Sequence, residues 1–100
     1  MSRRLAFRPE ARTELLEIRR WYDRQRPGLG AEFGHEADRA FGTLLQNAEA
    51  FQRVHGEIRR IRLHRFPYAI FYRILDGEVV VLAVSMAASI LAAGNRAAEA

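Results

Sequence analysis

The sequence predicts an α+β domain in which a two-helix hairpin packs on one face of a small antiparallel sheet, in the order β-α-α-β-β-β. Two stretches between residues 10 and 45 carry apolar residues at helical spacing, and strand-like stretches follow between residues 58 and 84. Proline and glycine at 27–30 separate the helices. One hundred residues suit a single domain, which we place at 1–100 with an atypical tail at 85–100.

The first half of the chain predicts one strand and both helices. Leu5-Ala6-Phe7 is a short apolar run, and Pro9 suits the first position of a helix that ends near Gln25. Each helix has one apolar face, and a shared apolar face needs a sheet to cover it. These faces consist of Ala11, Leu15, Ile18 and Tyr22 in the first helix, and Phe33, Ala37, Phe41, Leu44 and Leu45 in the second.

The second half predicts three strands after a loop at 47–52. Ile61 and Leu63 alternate with basic residues, which is typical of a strand with one apolar and one cationic face. Residues 68–75 are β-branched and aromatic, and Asp76-Gly77 is typical of a hairpin turn. Residues 78–84 are almost wholly apolar, which indicates a central strand or one covered on both faces. The alanine-rich tail favours a helix interrupted at 94–95.

Composition excludes several classes of protein. The chain has no cysteine, so it has neither disulfides nor a thiolate zinc site, and this suits a reducing cytoplasm. No apolar run approaches the length of about 18 residues that a membrane span needs, and no secretory signal is expected. His35, His55 and His64 lack metal-ligand spacing, and no phosphate loop or dinucleotide motif occurs. We therefore expect no metal and no cofactor.

The positive charge is concentrated in one region. All 16 basic residues are arginine, and residues 53–73 hold six of them against the single acid Glu57, a local charge of +5. This concentration indicates an anionic partner. Arginines beside aromatic side chains can bind phosphates and stack bases, but a sheet face rich in arginine is also an ordinary solvated surface. Trp21-Tyr22 similarly fits either core packing or a groove for a partner segment.

Several groups of residues between positions 5 and 84 occur, in the same order, in one family of bacterial proteins. They are Phe7-Arg8-Pro9-Glu10-Ala11, Glu14-Leu15, Trp21-Tyr22, residues 25–33, Ile58-Arg59-Arg60, residues 65–72 and Val81-Leu82-Ala83-Val84. Through them the chain resembles the RelE/ParE superfamily of toxins, in its ParE-like, plasmid-stabilisation branch. The fold of that family agrees with the fold predicted above.

The resemblance implies a cytoplasmic bacterial toxin neutralised by a co-encoded, ParD-like antitoxin. ParE-like members poison DNA gyrase without nuclease chemistry, and this is the function we predict. RelE-like members instead cleave messenger RNA on the ribosome without metal, and a third possibility is an attenuated toxin that retains only antitoxin binding. By residue match, the catalytic residues of a nuclease would be Arg65, Arg60 and Arg62. The residues predicted to bind antitoxin or target are Trp21, Tyr22, Arg59, Arg73 and Tyr72.

The tail departs from the family pattern. The branch usually continues its last strand with Phe-His-x-x-Arg-Asp-Pro-x-x-Trp, whereas residues 85–95 lack the histidine, the basic residues and the tryptophan. If residues 84–86 are encoded GTT-TCC-ATG, the frame that starts at the last base of the first codon gives Phe-His-Gly. The same frame permits the proline and the tryptophan at the family's spacing. We therefore hypothesise that this tail is the family tail in a shifted reading frame, and codons at 84–95 that cannot give these residues would exclude it.

Overall fold

The computed structural model describes residues 3–86, in which two helices pack on a five-stranded sheet. The sheet has the order β1-β5-β4-β3-β2. No helix in residues 3–86 is long and apolar enough to cross a membrane. The elements are β1 (Arg4–Phe7), α1 (Pro9–Gln25), α2 (Leu29–Asn47), a 3-10 helix (Ala48–Ala50), β2 (Arg53–His55), β3 (Ile58–Arg62), β4 (Tyr68–Leu75) and β5 (Glu78–Met86).

The predicted α+β class and the helical hairpin are confirmed, but the sheet differs from the prediction in three details. Strand β1 pairs with β5 in parallel, so the sheet is mixed rather than wholly antiparallel. The sequence did not predict β2, because this strand has only three residues and an irregular register with β3. Strand β5 continues beyond Val84 to Met86. The predicted helix in the tail was wrong for Ser85 and Met86, which are part of β5, and its remaining residues, 87–100, lie outside the described residues.

A bulge explains why β5 is almost wholly apolar. Phe71 pairs with Ala83 and Tyr72 pairs with Val81, so Leu82 is an extra residue in this strand. The bulge shifts the alternation of side chains by one position. Val81 and Val84 therefore pack in the cluster beneath the helices, whereas Leu82 and Ala83 belong to a second cluster on the other face. Strand β5 thus contributes to both apolar clusters.

The junction of the two helices depends on a close approach at Gly30. The backbone N–H of Gly30 donates to the Asp23 carboxylate at 2.8 Å, and the Arg26 N–H donates to the carbonyl of Tyr22 at the end of α1. A Cβ atom at position 30 would lie 2.4 Å from the backbone oxygen of Arg19. The helices therefore approach here as closely as a residue without a side chain permits.

The end of α2 is fixed to the sheet by Tyr72 of β4. This side chain is fully buried, and its hydroxyl donates to the Ala48 carbonyl at 2.7 Å. Burial raises the pKa of Tyr72 to about 12. From the neighbouring strand β3, the Arg59 guanidinium donates to the carbonyls of Glu49 and Phe51 at 3.0 and 2.7 Å. These bonds satisfy carbonyls that the ending helix leaves without intrahelical partners.

We predict opposite effects of alanine at two glycines of α2. Gly30→Ala should lower the free energy of unfolding by more than about 1 kcal/mol, because the added methyl group meets backbone. Gly42 is exposed, with nothing within 4 Å of an added Cβ, so Gly42→Ala should raise stability by about 0.5–1 kcal/mol. Urea denaturation measures both changes. Equal effects at the two positions would contradict the close approach.

We predict that Tyr72→Phe lowers the free energy of unfolding by about 1–2 kcal/mol, since it leaves a buried carbonyl without its donor. Tyr68→Phe is the matched control, because Tyr68 is a tyrosine of the same strand that is only partly buried and contacts the aromatic cluster through its ring. The control should change stability by less than about 0.5 kcal/mol. Urea denaturation followed by circular dichroism compares the two, and equal losses would contradict the anchoring role of Tyr72.

Candidate functional site

Part of the basic region borders a groove at the edge of β3, which we call the edge groove. The groove has a volume of about 440 Å³ and lies between α2, the segment after it and β3. Its basic side chains are Arg39, Arg60, Arg62 and His64, and Glu36 is its one acid. The lining residues are Glu36, Arg39, Ala40, Thr43, Ala50, Phe51, Gln52 and residues 60–64.

Arg60 has the most unusual environment in the edge groove. Its Nη1 atom is buried and has no hydrogen-bond partner among the described residues. A buried donor without an acceptor is costly, so such groups in folded proteins usually have a partner. The neighbouring Arg62 and His64 are exposed. The groove therefore combines exposed basic side chains with one buried guanidinium nitrogen that has no acceptor among the described residues.

Arg65 does not belong to this groove. Its Nη2 lies 2.6 Å from Oε1 of Glu32 in the first turn of α2, and its guanidinium lies over the ring of Phe66. The other Glu32 oxygen lies 3.2 Å from Nη2 of Arg26. The hydrogen bond from Arg65 lowers the pKa of Glu32, and Glu32 raises the pKa of Arg65. The three arginines predicted for a nuclease are thus divided between two places.

Two of the residues predicted to bind a partner are used inside the fold. Tyr72 is fully buried and Arg59 donates to two backbone carbonyls, as described above. For Tyr72 the structure corrects the expectation of a surface role, because a partner cannot reach its side chain without opening the core. The sequence did not reveal this, because a tyrosine between Phe71 and the charged Arg73 fits a half-exposed strand equally well.

Trp21 and Tyr22 have different environments although they are adjacent. Tyr22 packs among Phe33, Phe66 and Tyr68, and burial raises its pKa. Trp21 is 46% exposed and meets the edge of the Tyr22 ring at a centroid distance of 5.1 Å. Trp21 therefore offers an aromatic surface to a partner, whereas Tyr22 holds the aromatic cluster together.

Arg73 is exposed on β4. Its neighbours Tyr72 and Ile74 pack beneath the helices, so the alternation of the strand directs Arg73 to the opposite face of the sheet. Arg73 pairs in register with Val80 of β5 rather than with a residue of β3. It is available for binding, but it does not line the edge groove.

A second groove, not predicted from the sequence, lies along the two helices and is called the hairpin groove. It has a volume of about 430 Å³ and a mainly apolar floor with charged residues around it. Leu16 contributes to it and is 51% exposed. The sequence feature that could have revealed this groove is Leu16, an apolar residue that lies beside the buried stripe of α1. The lining residues are Phe7, Arg12, Leu15, Leu16, Arg19, Ala31, Phe33, Gly34, His35, Ala37, Asp38 and Phe41.

The described residues contain no group of three or more histidine, cysteine, aspartate or glutamate side chains that could hold a metal ion. Many of their charged groups instead form ion pairs at the surface or line one of the two grooves. The arrangement offers binding surfaces: one basic with an open strand edge, one apolar with charged margins, and one exposed tryptophan.

Solved structures of toxin–antitoxin proteins share this fold. A chain of the chromosomal ParDE system of Pseudomonas aeruginosa superposes with a TM-score of 0.76 at 19% identity, covering 84% of this chain and 95% of that one. A double mutant of toxin RelE from Escherichia coli in the free state superposes with a TM-score of 0.70 at 19% identity, covering 96% of this chain and 97% of that one. A chain of the RelBE2 toxin–antitoxin complex of Mycobacterium tuberculosis superposes with a TM-score of 0.57 at 23% identity, covering 86% of this chain and 99% of that one.

The sequence comparisons identify the family. No curated protein matches the chain significantly. The family model described as the ParE toxin of the type II toxin–antitoxin system parDE matches residues 5–90, which is most of the chain. The match includes both helices and all the described strands, and of β1 it omits only Arg4. With the shared fold, it confirms the resemblance noted in the sequence: the chain belongs to the ParE toxin family of type II toxin–antitoxin systems.

Proposed function

We propose that this ParE-family protein acts by binding its target rather than by catalysis, that the target is DNA gyrase, and that a co-encoded antitoxin neutralises it in the bacterial cytoplasm. The observation that carries the proposal is the separation of the candidate nuclease residues. Arg60 and Arg62 line the edge groove, whereas Arg65 forms an ion pair with Glu32. A nuclease needs its phosphate-binding and proton-transferring groups in one place.

The tyrosines of the basic region also favour binding over chemistry. Tyr72 is buried, its pKa is raised to about 12, and its hydroxyl donates a hydrogen bond to the Ala48 carbonyl. A general base works best with a pKa near the operating pH, and it must reach the proton that it removes. Tyr72 meets neither condition. Tyr22 is likewise packed in the aromatic cluster, with a raised pKa.

An antitoxin partner is supported by the family and by the exposed apolar surface. Two of the similar structures come from a ParDE system and a RelBE2 toxin–antitoxin complex. Leu16 of the hairpin groove and Trp21 nearby on α1 are both about half exposed. Large apolar side chains that stay in solvent often mark a protein–protein interface. We therefore assign the outer surface of α1 to partner binding.

One observation favours the second candidate, a ribosome-dependent RNase. Arg60, whose Nη1 has no partner among the described residues, lines the same groove as Arg39, Arg62 and His64, and guanidinium groups donate hydrogen bonds to phosphate oxygens. They would bind RNA, but general acid–base catalysis contributes about 10²–10⁴-fold to rate and needs a further group. An attenuated toxin that retains only antitoxin binding is the third candidate, and it depends on the tail, of which residues 87–100 lie outside the described residues.

We predict that expression without the antitoxin produces filamentous cells with DNA damage, because a gyrase poison blocks replication. The purified protein should inhibit supercoiling by gyrase, and the antitoxin should restore it. Microscopy, a DNA-damage reporter and a supercoiling assay measure these effects. Immediate translation arrest with cleaved messages would instead support the nuclease. Unaffected growth with normal expression would support the attenuated toxin.

We predict that Arg65→Ala and Glu32→Ala reduce toxicity equally, and that the double variant is no worse than either one. The physical reason is that both substitutions remove the same contact between α2 and the loop before β4. If Arg65 instead binds a phosphate, Arg65→Ala should abolish toxicity while Glu32→Ala leaves the guanidinium free and the toxin active. Survival after induction, normalised to soluble protein, measures the difference.

Arg26→Ala is the control for this pair, because it removes only the longer contact with Glu32. It should leave toxicity unchanged.

The contact between Arg65 and Glu32 should also depend on pH in one direction. Since the folded state lowers the pKa of Glu32, its stabilisation is present above the pKa of an unfolded glutamate and is lost as the pH falls through the folded pKa. The Tm difference between wild type and Arg65→Ala should therefore shrink in acid. If the Arg65→Ala variant kills cells as efficiently as the wild type, Arg65 neither binds a phosphate nor supports toxicity through its contact with Glu32.

A further inference from the structure

We propose that the surface of α1 around Trp21 binds a single strand of DNA, whose unpaired bases stack on the indole ring while its phosphates contact two arginines. The surface is a depression of about 440 Å³, which we call the Trp21 site. The choice of DNA over RNA rests on the proposed function, because gyrase, the proposed target, acts on DNA. The lining residues are Glu17, Ile18, Arg20, Trp21, Arg24 and Tyr68.

The spacing of the residues along α1 brings the charged and aromatic side chains of the site together. Residues three and four apart are neighbours on the surface of a helix. Arg24 lies three residues after Trp21 and four after Arg20, so the two arginines are about 6 Å apart along the helix axis. Ile18, one turn before Trp21, is buried and joins this part of α1 to the core. The site therefore presents two cations and one aromatic ring on a single helical surface.

The two arginines of the site are not used in ion pairs. Both side chains are exposed, and none of the ion pairs within residues 3–86 includes Arg20 or Arg24. Like charges four residues apart destabilise a helix, so this arrangement does not serve the stability of α1. Glu17 is the one acid that lines the site, so two positive charges stand against one negative charge. The surplus positive charge suits an anionic ligand.

Trp21 supplies the surface on which a base can stack. Its side chain is 46% exposed, and its ring lies at 81° to the Tyr22 ring with the centroids 5.1 Å apart. Tyr22 in turn packs against Phe33 and Phe66, so the indole rests against the aromatic cluster of the core. An aromatic side chain that is supported from one side and open to solvent on the other is the platform that unpaired bases use, and arginines beside it bind the phosphates.

A single strand of DNA fits this site better than a peptide or a duplex does. The site lies mainly on a helix, whose backbone groups are bonded within the helix, so it offers a peptide no strand edge to extend. In a duplex the bases stack on one another and are not available to Trp21. The antitoxin proposed to bind the outer surface of α1 is compatible with this site, because a protein that covers Trp21 excludes the strand.

The test uses the purified full-length protein and a DNA oligonucleotide of about twelve nucleotides, a length within the range of single-strand sites. Trp21 is the only tryptophan of the chain, so its fluorescence reports directly on the site. We expect saturable quenching of this fluorescence. The affinity should fall about sevenfold between about 50 and 200 mM salt, because each of two contacted phosphates contributes a slope of about −0.7. Unquenched fluorescence, equal affinity for the duplex, or tighter binding of an RNA strand of the same sequence would overturn the proposal.

Three substitutions locate the site, with binding measured by the fluorescence anisotropy of a labelled oligonucleotide and folding checked by circular dichroism. Trp21→Ala should weaken binding by about tenfold or more, because the stacking surface is lost. Arg24→Gln should weaken binding and halve its dependence on salt, since one of two phosphate contacts is lost. Arg4→Gln removes the same charge from the edge strand β1, outside the site, and should leave binding nearly unchanged. Equal losses in the two arginine variants, or unchanged binding by folded Trp21→Ala, would overturn the site.

Inhibition of gyrase is measured separately, by the supercoiling assay. Inhibition of gyrase without binding of the oligonucleotide would overturn the Trp21 site and keep the proposed function. Binding of the oligonucleotide without inhibition of gyrase would overturn the proposed function and keep the site. A polyglutamate peptide of equal charge that binds as tightly as the DNA strand would replace DNA by an acidic protein partner.

Discussion

The bond from the Tyr72 hydroxyl to the Ala48 carbonyl fixes the position at which the chain leaves α2 and returns to the sheet. Arg59 strengthens the same connection through the carbonyls of Glu49 and Phe51. The 3-10 helix held in this way forms one wall of the edge groove and prevents β2 from extending along β3. A buried hydroxyl and one guanidinium therefore hold the segment after α2 against the sheet, while the apolar cluster packs the hairpin on it.

The arginines divide into groups according to what surrounds them. Arg59 donates to two carbonyls and Arg65 pairs with Glu32, so each of these guanidinium groups already has a partner inside the molecule. Arg62 is exposed, and Nη1 of Arg60 has no partner in the described residues. Guanidinium groups of one chemical type thus serve structure in one place and are without a protein partner in another part of the described residues. This division favours a toxin that binds its target over a nuclease that needs all its basic groups together.

The atypical tail leaves the described fold intact. Ser85 and Met86, its first residues, complete β5 and pair with Ala69 and Tyr68. The family match extends to residue 90, a few residues into the segment where the expected histidine and tryptophan are missing. The helices, the sheet and both grooves consist of residues before this point. Partner binding by these surfaces therefore does not require the missing residues, whereas a nuclease that uses them does.

The sequence alone determined the two helices, the hairpin turn at Asp76-Gly77, three of the strands in the second half, and the basic character of β3. These features are encoded by local periodicity and turn chemistry, which a single sequence shows directly. It did not determine the parallel pairing of β1, the bulge at Leu82 or the short strand β2. Nor did it separate Arg65 from Arg60, because their different partners depend on the position of α2. Periodicity placed Tyr22 on the apolar face of the first helix, but it did not show that Trp21 alone stays about half exposed. Only tertiary structure decided these points, since they depend on which groups from distant parts of the chain meet and satisfy one another.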